Sequence, residues 1–207
     1  MEQLPRSGSE RAARGSRRRV RLVRSTARLV AALLAAGGML LRPGSGPTFG
    51  EQEEYRVKLG FLYNFVQYVQ WPAEAFSSDT APLTMCVLGP NPFERGAEQS
   101  LQKRTVGSHP IVLKPLKANE DPRSCHIIFI RASEKRMTAR VLTALKGAET
   151  LTVGESPGFA DVGGMINLTI DENKLRFEIN LDEAVQNRLK VSSKLLSLAK
   201  IVKVAHR

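Results

Sequence analysis

Three short apolar runs constrain this chain most: Leu83–Leu88, Cys125–Ile130 and Leu151–Val153. Each is too short for a buried helix, and turn-forming residues follow them, so they read as strands buried on both faces. Between and before them lie stretches with helical spacing of apolar residues. Strands separated by helices predict an open α/β sheet with helices on both faces, because a parallel connection needs a crossover. The expected fold is a single three-layer α/β domain built on a mixed, mostly parallel sheet.

From Glu53 to Gln70, Leu62, Phe65, Val66 and Val69 recur at i, i+3, i+4 and i+7, with Lys58, Asn64 and Gln67 on the wetter side. Trp71-Pro72 stops that helix, since the residue before a proline avoids the α region. Asn91-Pro92 predicts an N-cap and first turn for a helix running to about Lys103. Pro110 to Leu116 reads as a strand, placed at an edge by its two prolines. A helix from Ser133 to Leu145 ends at Gly147. Gly163–Ile170 and Lys174–Asn180 predict an antiparallel hairpin at one edge of the sheet, turning at Asp171-Glu172-Asn173. Two closing helices are expected, Leu181–Asn187 and Ser192 to about Val204.

Of the formal charge of +11, +8 falls in residues 1–50 and only +3 in residues 51–207. The excess charge therefore belongs to the tail, and the folded part does not call for a nucleic-acid partner. In the tail, arginines dense from Arg11 to Arg28 precede an apolar run, Leu29 to Leu41. Thirteen helical residues span about 20 Å, short of a bilayer core of about 30 Å, so no stable transmembrane anchor is expected. A basic segment, a short apolar core and then Arg42-Pro43-Gly44-Ser45-Gly46 follow the order of a secretory signal, with a cut before Glu51. The alternative is a disordered basic arm for nucleic acid or acidic lipid. On the first reading residues 1–50 are a leader and 51–207 the exported domain.

No nucleophile elbow, phosphate loop or dinucleotide fingerprint is present. His109, His126 and His206 are scattered without partners at ligand spacing, so neither a metal nor a cofactor is expected. The glycines of Gly154-Glu155-Ser156-Pro157-Gly158 and Gly163-Gly164 read as turn and close-packing glycines. The strand ends Leu88-Gly89 and Ile130-Arg131-Ala132 lack the clustered aspartates of phosphorylated receiver domains. Cys86 lies in the first of these strands and Cys125 begins the central one; the two strands are neighbours in the usual doubly wound order, which puts the pair within reach of a disulfide. Two buried thiols are the alternative, because adjacent parallel strands suit a relaxed bridge poorly. Seven of the twelve aromatic residues, including every tyrosine and the one tryptophan, lie between Tyr55 and Phe76. One helix face cannot bury them all. Tyr63, Tyr68 and Trp71 are therefore candidates for an interface, against a purely core role.

Several segments, in order, resemble the YfiR family of exported bacterial proteins: Glu54-Tyr55-Arg56-Val57-Lys58 through Phe61-Leu62-Tyr63-Asn64-Phe65 to Trp71-Pro72; Cys86-Val87-Leu88-Gly89; Cys125-His126-Ile127-Ile128-Phe129-Ile130; Gly158-Phe159 with Gly163-Gly164-Met165-Ile166-Asn167; Phe177-Glu178-Ile179-Asn180; and Leu189-Lys190-Val191-Ser192-Ser193-Lys194-Leu195-Leu196. The resemblance implies a compact α/β domain in the periplasm, often dimeric and without catalytic activity. It further implies binding to the periplasmic domain of an inner-membrane diguanylate cyclase and repression of cyclic-di-GMP synthesis. Cys86 and Cys125 match a family cysteine pair that can be bridged; a second, later pair is absent. The alternative function is a periplasmic small-molecule sensor with a pocket lined by the aromatic helix.

Overall fold

The computed structural model describes residues 49–203 apart from Ala118 and Asn173. The expected leader lies outside the described residues except for its last two positions, and His206 also lies outside them. Helix α1 (Phe49–Tyr68) leads into β1 (Val69–Gln70), then β2 (Leu83–Leu88), α2 (Ala97–Gln102), β3 (Thr105–Val106) and β4 (His109–Leu116). After these come β5 (Ile127–Ile130), α3 (Lys135–Ala144), β6 (Leu151–Gly154) and the hairpin β7 (Ile166–Asp171) and β8 (Lys174–Asn180). The chain closes with α4 (Leu181–Gln186), β9 (Lys190–Val191), α5 (Ser193–Leu196) and β10 (Lys200–Val202).

The main sheet has the order β10-β8-β7-β6-β5-β2-β4-β3, and β1 pairs separately with β9. Neighbours from β7 to β4 run parallel, while β7–β8 and β3–β4 are antiparallel. The architecture is thus the expected α/β class with a mixed, mostly parallel sheet and an antiparallel hairpin. Side-chain alternation splits the core in two. Leu83, Met85, Val87, Ile127 and Phe129 face α1, α2, α4 and α5. Cys86, Leu88, Ile128 and Ile130 face α3 and Phe159 on the other side.

Four local expectations are corrected. The helix predicted from Asn91 starts only at Ala97, after Gly96 in the left-handed region at φ 95°. The Asn91 side chain instead accepts from the Phe93 amide at 3.0 Å, closing a local turn that competes with helix. The helix predicted from Ser192 to Val204 ends at Leu196, and Lys200–Val202 adds to β8 as a parallel strand. There the open edge of β8 offers a ladder of backbone partners, and β-branched Ile201 and Val202 suit a strand better than an exposed helix. The hairpin consequently has β10 outside it. Likewise β4 is second from its edge, covered by β3 only at His109 and Pro110.

The close-packing role of two glycines follows from Phe159, whose ring is buried beside both. A Cβ built on Gly154 would lie 2.4 Å from that ring, and one on Gly164 2.1 Å from it. No side chain fits there without displacing the largest residue of that core layer.

Candidate functional site

The chain's crossover from β2 to β4 and back to β5 makes a topological switch point between β2 and β5. In open α/β sheets this carboxyl edge is where side chains converge. Here Arg131 after β5 and Glu155 after β6 meet α1, and Arg131 also reaches Pro90 after β2. Glu155 accepts the Tyr55 hydroxyl at 3.0 Å, the Ala132 amide at 3.0 Å and the Lys58 ammonium at 2.6 Å. Arg131 donates to the Tyr55 hydroxyl at 2.9 Å and the Pro90 carbonyl at 3.2 Å. Its guanidinium and the Lys58 ammonium both approach the Tyr55 ring, at 4.9 and 4.6 Å. Lys58 also pairs with Glu54.

Lys58, expected on the wet side of its helix, is 5 % exposed. It occupies the buried stripe that runs Tyr55, Lys58, Leu62, Phe65, Val66, Val69. Burial disfavours its charged form, yet the hydrogen bonds it donates to Glu155 and Glu54 prevail and hold its pKa above the ordinary value. The Tyr55 phenol is also raised, first by burial, with the Arg131 hydrogen bond opposing. The cluster clasps α1 to the ends of β5 and β6. The legible signals for it were a carboxylate directly after a strand end and a lysine at apolar spacing.

The three aromatic candidates are all half-buried against the larger core, in different surroundings. Tyr63 lies under the Arg104 guanidinium at 4.5 Å, and Tyr68 under the Lys194 ammonium at 5.2 Å. Five residues apart on a helix, these two rings point roughly 140° from one another. Trp71 Nε1 donates to the His126 carbonyl at 3.3 Å. Tyr68 and Trp71 thus share the C-terminal end of α1, and Tyr63 stands on its other flank.

At the amino edge, Phe76 stacks between His109 and His126, with centroids 3.8 and 4.4 Å away. His109 meets the Ala81 carbonyl at 2.7 Å. The Thr84 amide donates to His126 Nδ1 at 3.0 Å, so Nε2 carries the proton given to the Ala75 carbonyl at 3.0 Å. Burial holds the His126 imidazole below its ordinary value of 6.5; the Ala75 bond opposes this and the His109 charge adds to it. A base depressed by folding takes up its proton first in the unfolded chain, so its linkage destabilises the fold as pH falls below 6.5. Glu178, lowered by its hydrogen bond from Lys200, acts in a lower window, below its ordinary 4.5. The urea midpoint is therefore expected to fall between pH 7 and the acid side of 6.5 in the wild type, and to fall less steeply in His126→Gln. Equal slopes would refute the assignment.

Beside His126 and Cys125 opens a cleft of about 540 Å³, which Arg123, Lys146, Thr84 and Thr150 help to line. None of the α1 aromatics lines it. Cys86 and Cys125 are joined in a disulfide with a Cα–Cα distance of 6.0 Å, buried under α3.

Residues 55–200 match the sequence profile of a family described as YfiR/HmsC-like. Among solved structures, a conserved domain protein from Vibrio cholerae O1 biovar El Tor strain N16961 superposes with a TM-score of 0.43. The two are 15 % identical over 74 % of this chain and 60 % of that one. The ABC domain in complex with L-Trp from Streptococcus pneumonia gives a TM-score of 0.40 at 10 % identity, over 57 % of this chain and 55 % of that one. The chain spans less than two thirds of either structure's length.

Proposed function

Because the chain belongs to the YfiR/HmsC-like family, we propose that it is an exported, non-enzymatic regulator that binds the periplasmic domain of an inner-membrane diguanylate cyclase and represses cyclic-di-GMP synthesis. The observation that carries this reading is the extent of the family match, which runs from the clasp residue Tyr55 to Lys200 in the outermost strand. On this reading residues 1–50 are removed on export and residues 51–207 work in the periplasm, singly or as a pair of copies. Among the described residues no helix is long and apolar enough to cross a membrane.

Tyr68 and Trp71 at the C-terminal end of α1, and Tyr63 on its other flank, are the proposed contact residues. Half-buried rings with polar tips contribute large contact area at little entropic cost. The Glu155 clasp fixes the helix that presents them.

Deletion of the gene is expected to raise intracellular cyclic-di-GMP, and the wild-type gene to restore it. A Tyr68→Ala/Trp71→Ala variant, exported and melting cooperatively, is expected to restore it poorly and to lose the membrane partner in pull-downs. An unchanged cyclic-di-GMP level after deletion, across several growth conditions, would overturn the reading.

A further inference from the structure

Residues 71–82 carry the chain from β1 to β2, and none of them is fully buried. The 3-10 turn Ala73–Ala75 and the bond from the Ala81 amide to the Ser78 carbonyl close within the segment. Two histidines fasten it to the sheet. His126 gives its Nε2 proton to the Ala75 carbonyl at 3.0 Å, and His109 Nδ1 meets the Ala81 carbonyl at 2.7 Å. Phe76 is held between their rings, Ser108 donates to the Asp79 carbonyl, and Trp71 Nε1 donates to the His126 carbonyl. A segment with so little buried apolar area belongs to the part of a fold that opens most easily.

The two rings answer a proton differently. A bond to a carbonyl needs a ring that donates, so an added proton leaves the Ala75 and Ala81 bonds intact in themselves. His126 also accepts: the Thr84 amide donates to its Nδ1 at 3.0 Å. A proton on Nδ1 sets N–H against N–H, and a ring that turns away breaks the Ala75 bond and leaves Phe76. The charged groups around His126 are His109 across Phe76, Glu74 and Asp79 on the segment, and Arg123, Lys146 and Glu149 around the adjoining cleft. Glu74 and Asp79 are exposed to screening water, and Glu149 is paired with Arg188. Burial first, and then the His109 charge, disfavour the imidazolium, with the Ala75 bond opposing them.

We infer that His126 is a proton-operated latch on residues 71–82: the neutral ring holds the segment on the sheet, and protonation frees it, Trp71 included, while the rest of the domain stays folded. The sheet keeps its own ties at this point. The His126 amide still donates to the Thr84 carbonyl at 2.9 Å, and β2 remains laddered to β4 and β5. Opening removes the wall that Ala75, Ser77, Ala81 and Pro82 give to the cleft of about 540 Å³. In the open state the ring takes its ordinary value of 6.5, and in the closed state a lower one. Opening is therefore promoted as pH falls below 6.5, by at most about tenfold per pH unit for one proton. That acid would also loosen the grip of Trp71 on a membrane partner rests on the regulatory reading; the latch itself does not, and is tested on the chain alone.

The test follows the full chain from pH 7 to about pH 5 by amide exchange, imidazole NMR and the fluorescence of Trp71, its one tryptophan. Exchange rates are referred to those of an unstructured chain at the same pH. In the wild type the Ala75, Phe76 and Thr84 amides are expected to lose protection severalfold on acidification, and Trp71 emission to move to the red. Both changes should follow the titration of the His126 ring, while Leu62–Val66 and β7 keep their protection. His126→Gln, which retains a donor for Ala75 and takes up no proton, is expected to show neither change. An unaltered segment in the wild type, the same changes in His126→Gln, or an equal loss of protection across the whole domain would overturn the inference. Should His126→Gln fail to fold, the wild type decides alone: a Trp71 transition with a midpoint apart from that of the His126 imidazole would overturn it.

Discussion

Replacing Glu155 by alanine is expected to lower the unfolding free energy by about 3–5 kcal/mol, the usual cost of removing one partner from a buried ion pair. The side chains of Glu155 and Lys58 are 5 % and 6 % exposed, so water cannot substitute for the lost carboxylate. Lys58 would keep Glu54, itself partly exposed, as its one anionic partner. The Tyr55 hydroxyl would lose its acceptor, and a buried donor left unmade costs about 1–3 kcal/mol, whereas the Ala132 amide, at an exposed residue, can turn to water. Glu155→Gln should recover only part of this, because its amide nitrogen or oxygen must face two kinds of donor at once. A Lys58→Met/Glu155→Leu pair should recover more than either single change, since apolar replacement of a buried pair is often close to neutral. Urea unfolding of these three variants beside the wild type decides the matter. A loss below about 1 kcal/mol for Glu155→Ala would mean that the clasp is solvated and that α1 is held by its apolar face alone.

Much of the fold was legible because burial on both faces leaves no choice of period. Leu83–Leu88 was placed to the residue on that ground, and the half-exposed hairpin strand Lys174–Asn180 by the alternation of Phe177 and Ile179. What escaped was decided by partners distant in sequence. Nothing near Lys200 announces that β8 leaves an edge to be filled. Helical spacing at Leu195, Leu198 and Val202 was the stronger local signal, and the ladder to Glu178–Asn180 overrode it. Of the site, the cysteine pair was visible as a possibility and the aromatic cluster as a concentration of rings. The clasp was not, because Lys58 and Glu155 are 97 residues apart and a lone lysine in a helix reads as solvated. Its neighbours Tyr55 and Leu62 at i−3 and i+4 were the available hint.

Removal of the disulfide, by Cys86→Ala/Cys125→Ala or by reduction, is expected to lower stability by about 4 kcal/mol. In the chain-entropy account that follows from freeing a loop whose ends are 39 residues apart. The objection that neighbouring parallel strands hold cysteines awkwardly does not apply to this pair. Cys86 lies within β2, but Cys125 directly follows the 3-10 turn Pro122–Ser124 and precedes β5 at Ile127, so strand register does not dictate its distance. Their Cα atoms, 6.0 Å apart, fall inside the roughly 4.4–6.8 Å that a bridge requires. The bridge also sits in the smaller of the two cores, with Val141 of α3, Leu145 just past its end and Ile128 in the same cluster, and it adds a covalent tie beside the Thr84–His126 hydrogen bonds that join the start of β5 to β2. Loss should therefore be felt first on the α3 side, as faster amide exchange in α3 and at Cys125–His126 than in α1. In urea titrations with and without a phosphine reductant, the wild type should drop to near the double variant, and the variant should not respond. A wild type indifferent to reductant in the unfolding zone would mean that the two sulfurs are packed thiols and that the α3 core stands without a covalent tie.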